Sequence, residues 1–201
     1  LKRIQNKNCH STSYAISSEF SPAKNKKYKY DLCFIGTTDD NRKGIKEFIT
    51  ISNTLFNERL ISQALIITQS AKLAYLNSIN LNPKIFVIKQ NLNSKEINRY
   101  LNKSKVFLFP SKAESYGLVI GEALKTGTPA VISNIPELKI WKGLAIISNN
   151  YIKSTKFILA NHSKIMEKLL SQIKKHKLFR QTWENIAIIE LNHIKKLCYN
   201  N

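Results

Sequence analysis

Two carboxylates, Glu114 and Glu122, flank Gly117 in the stretch FPSKAESYGLVIGEALKTGTPAVIS, residues 109–133 of a 201-residue chain whose formal net charge is +19. The apolar run Val106 to Phe109 stops at Pro110, a short polar loop follows, and a helix is expected to open near Ser115 to Gly117. If that run is a strand of a parallel sheet, the helix start offers free backbone amides at the sheet's C-terminal edge, which is an anion site. Gly117 has no Cβ to hold a ligand away from the backbone, and Ser115 is placed to cap the helix. Glu114 falls in the loop and Glu122 about a turn and a half into the helix, so both can border one pocket at its mouth. Carboxylates accept hydrogen bonds, and sugar or ribose hydroxyls donate them. Amides for phosphate beside carboxylates for hydroxyls suit a nucleotide-sugar. The plainer alternative has Glu114 as favourable negative charge at a helix N-terminus and Glu122 facing water.

Six short apolar runs must position these residues. Asp31–Ile35, Ala64–Ile67, Lys84–Ile88, Lys105–Phe109, Pro129–Ser133 and Leu144–Ile147 are near-continuously apolar, as strands buried on both faces are. Between them, residues 44–56, 70–79, 94–102 and 116–125 carry apolar side chains at three- and four-residue spacing, and Gly127 before Pro129 stops the last of these helices. The alternation predicts an α/β fold with a Rossmann-like parallel sheet flanked by helices over residues 30–150. Residues 151–201 read as two or three further helices, among them 163–174 and 182–197, packing at the sheet's edge of the same domain. Residues 1–29 lack periodicity and read as a linker or peripheral segment.

Composition narrows the classes. At 43% hydrophobic content the chain can bury a core, and its longest apolar runs fall far short of the roughly 20 residues that span a bilayer. It reads as soluble, unexported and cytoplasmic, at most peripheral at an anionic membrane surface. The chain opens on Leu1 rather than Met, which reads as a piece of something longer. Cys9, Cys33 and Cys198 are odd in number and widely spaced, which supports neither a disulfide framework nor a zinc site. His10, His162, His176 and His193 lack metal-ligand spacing and are expected at the surface, and Asp39 and Asp40 read as turn formers. The lysines are spread along the chain with one cluster, Lys24-Asn-Lys-Lys-Tyr-Lys29, and no basic-aromatic ladder, so nucleic acid is not the expected partner.

The order Glu-Ser-Tyr-Gly-Leu-Val-x-x-Glu-Ala-Leu-x-x-Gly-Thr-Pro-x-Val-x-Ser, with seven residues between the two carboxylates, closely resembles the Glu-x7-Glu motif of retaining glycosyltransferases of family 4, which have the GT-B fold. Upstream, Phe34-Ile-Gly-Thr-Thr-Asp-Asp-Asn-Arg-Lys-Gly-Ile45 resembles that family's first strand, glycine and Lys-Gly phosphate loop. Ser94–Leu101 resembles the helix before the motif strand, and the loop ahead of it, with Asn91 and Leu92, is where such enzymes hold the base. Phe179–Glu184 is similar to the aromatic opening of the final helix, and Phe20-Ser-Pro22 to the end of the interdomain linker.

The resemblance implies one half of a GT-B fold that binds a UDP- or GDP-linked sugar, without a resident cofactor or metal, and passes the sugar with retention to an unknown glycan, lipid or protein. It implies catalytic roles for Glu114, which would accept hydrogen bonds from the donor sugar, and for Lys43, which would neutralise the pyrophosphate that Gly36 lets approach. Glu122 would accept from the ribose, and the amides around Tyr116, Gly117, Leu118 and Val119 would hold the sugar and distal phosphate. Where the family has Arg after the strand glycine, this chain has Thr37, and Arg42 is the residue placed to compensate. The acceptor would sit on a separate N-terminal domain, for which residues 1–29 leave no room. The alternative is a domain of the same fold that binds a nucleotide or nucleotide-sugar without catalysing transfer; a nucleic-acid-binding α/β protein rests on charge alone.

Overall fold

The computed structural model describes residues 14–39 and 41–199. Strand β1 (Tyr30–Ile35) leads through a 3-10 turn (Asn41–Lys43) to α1 (Ile45–Asn57), followed by β2 (Ala64–Thr68), α2 (Leu73–Ser78), β3 (Phe86–Gln90) and α3 (Ser94–Leu101). Next come β4 (Ser104–Phe109), α4 (Leu118–Lys125), β5 (Ala130–Ser133), a second 3-10 turn (Pro136–Trp141) and β6 (Ile146–Ser148). The six strands among the described residues are all parallel, in the order β3-β2-β1-β4-β5-β6. Winding runs outward one way from β1 and the other way from β4. Because crossovers are right-handed, that reversal puts the helices of the two halves on opposite faces and opens a crevice where the C-terminal ends of β1 and β4 diverge. Every residue of β1, β2 and β5 is buried, as two covered faces require.

All six expected strands are present, with shifts at their ends. β3 begins at Phe86 instead of Lys84 because the Ile85 and Phe86 amides first close a turn on the Asn82 carbonyl. α2 is shorter than its apolar spacing suggests and starts at Leu73, since the Ser70 carbonyl accepts from the Thr38 and Thr68 hydroxyls, and the Lys72 amide is held by Thr38. α4 starts two residues later than expected. Ser115 does not cap it; Gly117 stands at the N-cap in the left-handed region, φ 72°, with no side chain bonded to the first turn.

The region after residue 150 forms four helices, α5 (Tyr151–Ala160), α6 (His162–Lys175), α7 (Lys177–Arg180) and α8 (Trp183–Tyr199). They do not simply line the sheet's edge. α5 lies on β4 and β5 beside α1, with Thr155 and Ile158 buried, because the face of those strands left bare by α4 needs an apolar cover.

The described part of the N-terminal segment also departs from a peripheral reading. Ala15, Ile16 and Phe20 are buried in the core, and Lys125 Nζ donates to the Ile16 and Ser17 carbonyls at 2.8 and 3.0 Å. Its contacts are irregular, so no period betrays them. Gly121 sets the approach, for a Cβ there would lie 2.4 Å from Ile16 Cδ1.

If this strap belongs to the core, Phe20→Ala removes a ring that is 2% exposed and costs about 3–5 kcal/mol. Urea unfolding measures the loss, and a cost below about 1 kcal/mol would return the segment to the periphery.

Candidate functional site

At the crevice between β1 and β4 lies a cavity of about 440 Å3. Its placement follows from two loops that meet across the sheet's switch point. After β1 the chain turns through Asn41–Lys43 into α1, and Gly44 caps that helix in the left-handed region, φ 77°. A Cβ at Gly44 would stand 2.1 Å from the Pro110 carbonyl oxygen, so only glycine lets this loop touch the one that follows β4. The contact is fastened by the Lys112 amide donating to the Arg42 carbonyl at 2.6 Å, with Ser111 Oγ 2.9 Å from the same oxygen.

Lys43 and Glu114 are thereby brought face to face. Lys43 Nζ donates to Glu114 Oε1 at 2.7 Å, and Ser111 Oγ lies 3.1 Å from that oxygen. The carboxylate is 7% exposed and the ammonium 31%. Gly36 and Thr37 form the floor beside them, and a Cβ on Gly36 would press to 2.9 Å from the Phe34 ring. Opposite stand Tyr116, Gly117, Leu118 and Val119, the start of α4, whose amides have no side-chain cap. Trp141 Nε1 fixes this wall by donating to the Tyr116 carbonyl at 3.0 Å. Leu92 and Ile97 close the apolar end.

Three expected site residues lie outside the lining of this cavity. Arg42 is exposed, and its carbonyl is spent on the loop contact. Asn91 is exposed too, at φ 53°, and its amide donates to the Thr68 carbonyl. Glu122 is half-buried one turn beyond Leu118 on the same face of α4, and burial pushes its carboxyl up to about 7. Sequence reasoning missed Tyr14, whose ring lies 4.3 Å from that of Tyr116 and edge-on to Trp183, and which lines the cavity with Thr68 and Gln69. A lone tyrosine in an aperiodic segment carries no signal by which to find it.

The remaining chemistry-bearing residues lie elsewhere. Asp39 pairs with Lys72 at 2.8 Å, whereas Asp40, Cys9 and His10 lie outside the described residues. His162 is not a surface residue; its ring is half-buried against Tyr28 and 3.0 Å from the Lys105 carbonyl. His176 bonds the Leu178 amide at the start of α7. Burial pushes the Cys33 thiol up to about 12, which leaves it inert. Among the described residues, no group of three His, Cys, Asp or Glu side chains is placed to hold a metal ion, and no helix is long and apolar enough to cross a membrane.

The site can therefore offer an ammonium and a helix start to an anion, and the Glu114 carboxylate to hydroxyl donors. Comparison with known proteins matches residues 29–174 to the family described as Glycosyl transferases group 1. No curated protein matches the chain by sequence. Among solved structures, the chain is similar to sucrose-phosphate synthase from Thermosynechococcus elongatus, with TM-score 0.68 and 19% identity over 91% of this chain and 51% of that one. It is similar to a TarM variant from S. aureus in complex with fondaparinux, alpha-GlcNAc-glycerol and UDP, with TM-score 0.67 and 18% identity over 94% of this chain and 40% of that one. WaaG, a glycosyltransferase involved in lipopolysaccharide biosynthesis, gives TM-score 0.66 and 14% identity over 84% of this chain and 52% of that one. The parallel sheet with its helices thus matches one Rossmann-like half of a GT-B fold, and the chain spans from about two fifths to half the length of these three structures.

Glu122 supplies a test of the site's electrostatics. Its folded pKa, about 7, lies above the ordinary 4.5, so the native state holds the proton more tightly than the unfolded chain. The contribution to stability is full below pH 4.5 and is lost as pH rises through 7. Glu122→Gln is accordingly expected to match the wild-type melting temperature near pH 4.5 and to exceed it at pH 8 in ligand-free protein. A difference that does not change with pH would mean that the carboxyl titrates as in water.

Proposed function

Because the chain belongs to the glycosyl transferases group 1 family, we propose that it is the donor-binding half of a retaining, family 4-like glycosyltransferase that takes a UDP- or GDP-linked sugar. The observation that carries this reading is Lys43 and Glu114 held together opposite the uncapped start of α4, in the crevice at the switch point of the sheet. Glu114 and Glu122 are the carboxylates of its Glu-x7-Glu motif. A nucleoside diphosphate leaving group develops negative charge as the bond to the sugar breaks. Lys43 and the amides of Gly117, Leu118 and Val119 oppose that charge without a resident metal. Glu114 orients the sugar through its hydroxyls. Glu122, whose carboxyl burial has made reluctant to ionise, gains donors when ribose hydroxyls arrive. Asn91 and Leu92 flank the base. TarM, the relative with UDP in its complex, supports a nucleotide donor here by likeness of fold.

Transfer needs an acceptor held in reacting geometry, and one domain supplies one wall of the cleft. The other wall belongs to a second domain, from the same polypeptide or a partner. The exposed apolar side chains of Ile188, Leu191 and Ile194 on α8 are suited to such a neighbour. The alternative, a nucleotide-binding module without transferase activity, is favoured by Thr37, which leaves Lys43 as the one cationic side chain among the described lining residues.

UDP or GDP at a hundred times its dissociation constant stabilises the native state by about 2.7 kcal/mol. That amounts to a rise of roughly 5–10 °C in melting temperature for a chain of this size. Lys43→Met is expected to weaken nucleoside diphosphate binding by about 10- to 100-fold. Glu114→Gln should chiefly erase the preference for the sugar nucleotide over the free diphosphate. No shift with any nucleoside diphosphate or nucleotide-sugar at millimolar concentration would remove the donor-site reading.

A second measurement bears on the acceptor half. With radiolabelled nucleotide-sugars and a broad acceptor panel, the 201-residue chain alone should bind donor and transfer nothing above hydrolysis. Robust transfer by the chain alone would overturn the need for a second domain.

A further inference from the structure

A second cavity, of about 370 Å3, lies between the N-terminal strap and the end of α3. It borders the N-terminal ends of β1 and β4, where the Lys29 and Tyr30 amides both donate to the Lys103 carbonyl, and so stands at the opposite edge of the sheet from the crevice. Lys26, Lys27, Arg99 and Lys103 line it, and no carboxylate does. Elsewhere the protein pairs lysines with acids, as in Lys43 with Glu114 and Lys105 with Asp31, yet none of these four cations has an ion-pair partner among the described residues. The walls are built: Asn102 donates to the Ser21 and Asn98 carbonyls and accepts from the Ala23 amide at 2.8 Å.

Lys26 is the unusual member. Its ammonium is buried without a hydrogen-bond partner, and burial draws it down to about 8. It lies against Gly127, closed off from solvent, so Lys26 contributes wall; the exposed Lys27, Arg99 and Lys103 are the cations that a dianion with several acceptor oxygens can meet with charge-assisted hydrogen bonds. From the Lys24–Lys29 cluster, Asn25, Lys26 and Lys27 lie on the strap side of the cavity.

We propose that this pocket binds a phosphate group, as a site separate from the donor crevice. Two sources carry the chemistry, a soluble phosphate compound and the headgroup of an anionic lipid.

The probe for the first is inorganic pyrophosphate, followed through backbone amide NMR shifts of the whole chain. Shifts are expected at residues 23–27 and 98–103, to persist in Lys43→Met, which removes the crevice's ammonium, with an affinity that falls at least about tenfold in Arg99→Gln/Lys103→Gln. The probe for the second is co-sedimentation with vesicles of phosphatidylcholine containing phosphatidic acid, in moderate and high salt. Capture that the double variant and salt both abolish would assign the site to a lipid headgroup even if pyrophosphate gives no shifts. Neither pyrophosphate shifts at the pocket nor vesicle capture, or either one unchanged in the double variant, overturns the proposal.

Discussion

The closeness of two backbones, Gly44 against the carbonyl of Pro110, is the constraint on which the site rests. The loops concerned leave neighbouring strands whose onward windings run in opposite directions, so nothing in the sheet's hydrogen bonding forces them together. A left-handed glycine at the N-cap of α1 permits the approach, and the Lys112 amide and Ser111 hydroxyl then hold the Arg42 carbonyl. Lys43 and Glu114, 71 residues apart in sequence, become partners as a consequence. The crevice is a product of topology, and its chemistry a product of that one contact.

What the sequence made legible, and what it hid, follows from the same physics. Strands buried on both faces announce themselves as continuous apolar runs, and so β1, β2, β4 and β5 stand close to where such runs place them. Residues that act through backbone proximity do not announce themselves in this way. The cap of α4 was legible as a glycine but not as the residue doing the capping, because Ser115 satisfies the same local rule and only the approach of the Leu138 and Ile120 side chains to Gly117 makes the glycine conformation the one that fits. Ile16 and Phe20 were hidden because the strap they belong to has no period, and Tyr14 because its role comes from stacking on Tyr116 in three dimensions. Within the site, the motif residues near the loop contact line the cavity, whereas Glu122, Asn91 and Arg42 do not. Spacing along a helix gives a face but not the depth of the pocket that the face overlooks.

The large positive charge is distributed with some order. Carboxylates are few, and several of them serve as fasteners: Asp31 holds the Ser62 and Gln63 amides together with Lys105, Glu47 holds Lys112, and Glu58 holds Lys156. The more exposed of these pairs, Glu47 with Lys112 and Glu58 with Lys156, contribute little stability each. Their use in tying loops and helices leaves other cations unneutralised, and where the fold makes a concavity, as beneath α3, those cations gather around it.

The Lys43–Glu114 pair has a further consequence for the unliganded crevice. With Glu114 nearly buried, a carboxylate lacking its ammonium would bear most of its desolvation cost, so the pair protects the fold while the site is empty. In the function proposed above, a bound pyrophosphate would compete for that same ammonium, and an arriving sugar hydroxyl would give Glu114 a replacement donor. Donor binding would then be an exchange of partners in which neither charge is left bare. A diphosphate without a sugar would withdraw Lys43 from Glu114 without supplying the hydroxyls, whereas the intact nucleotide-sugar would supply both. On the proposed function, the pairing itself would then favour the whole donor over its leaving group, and would favour product release once the sugar has gone.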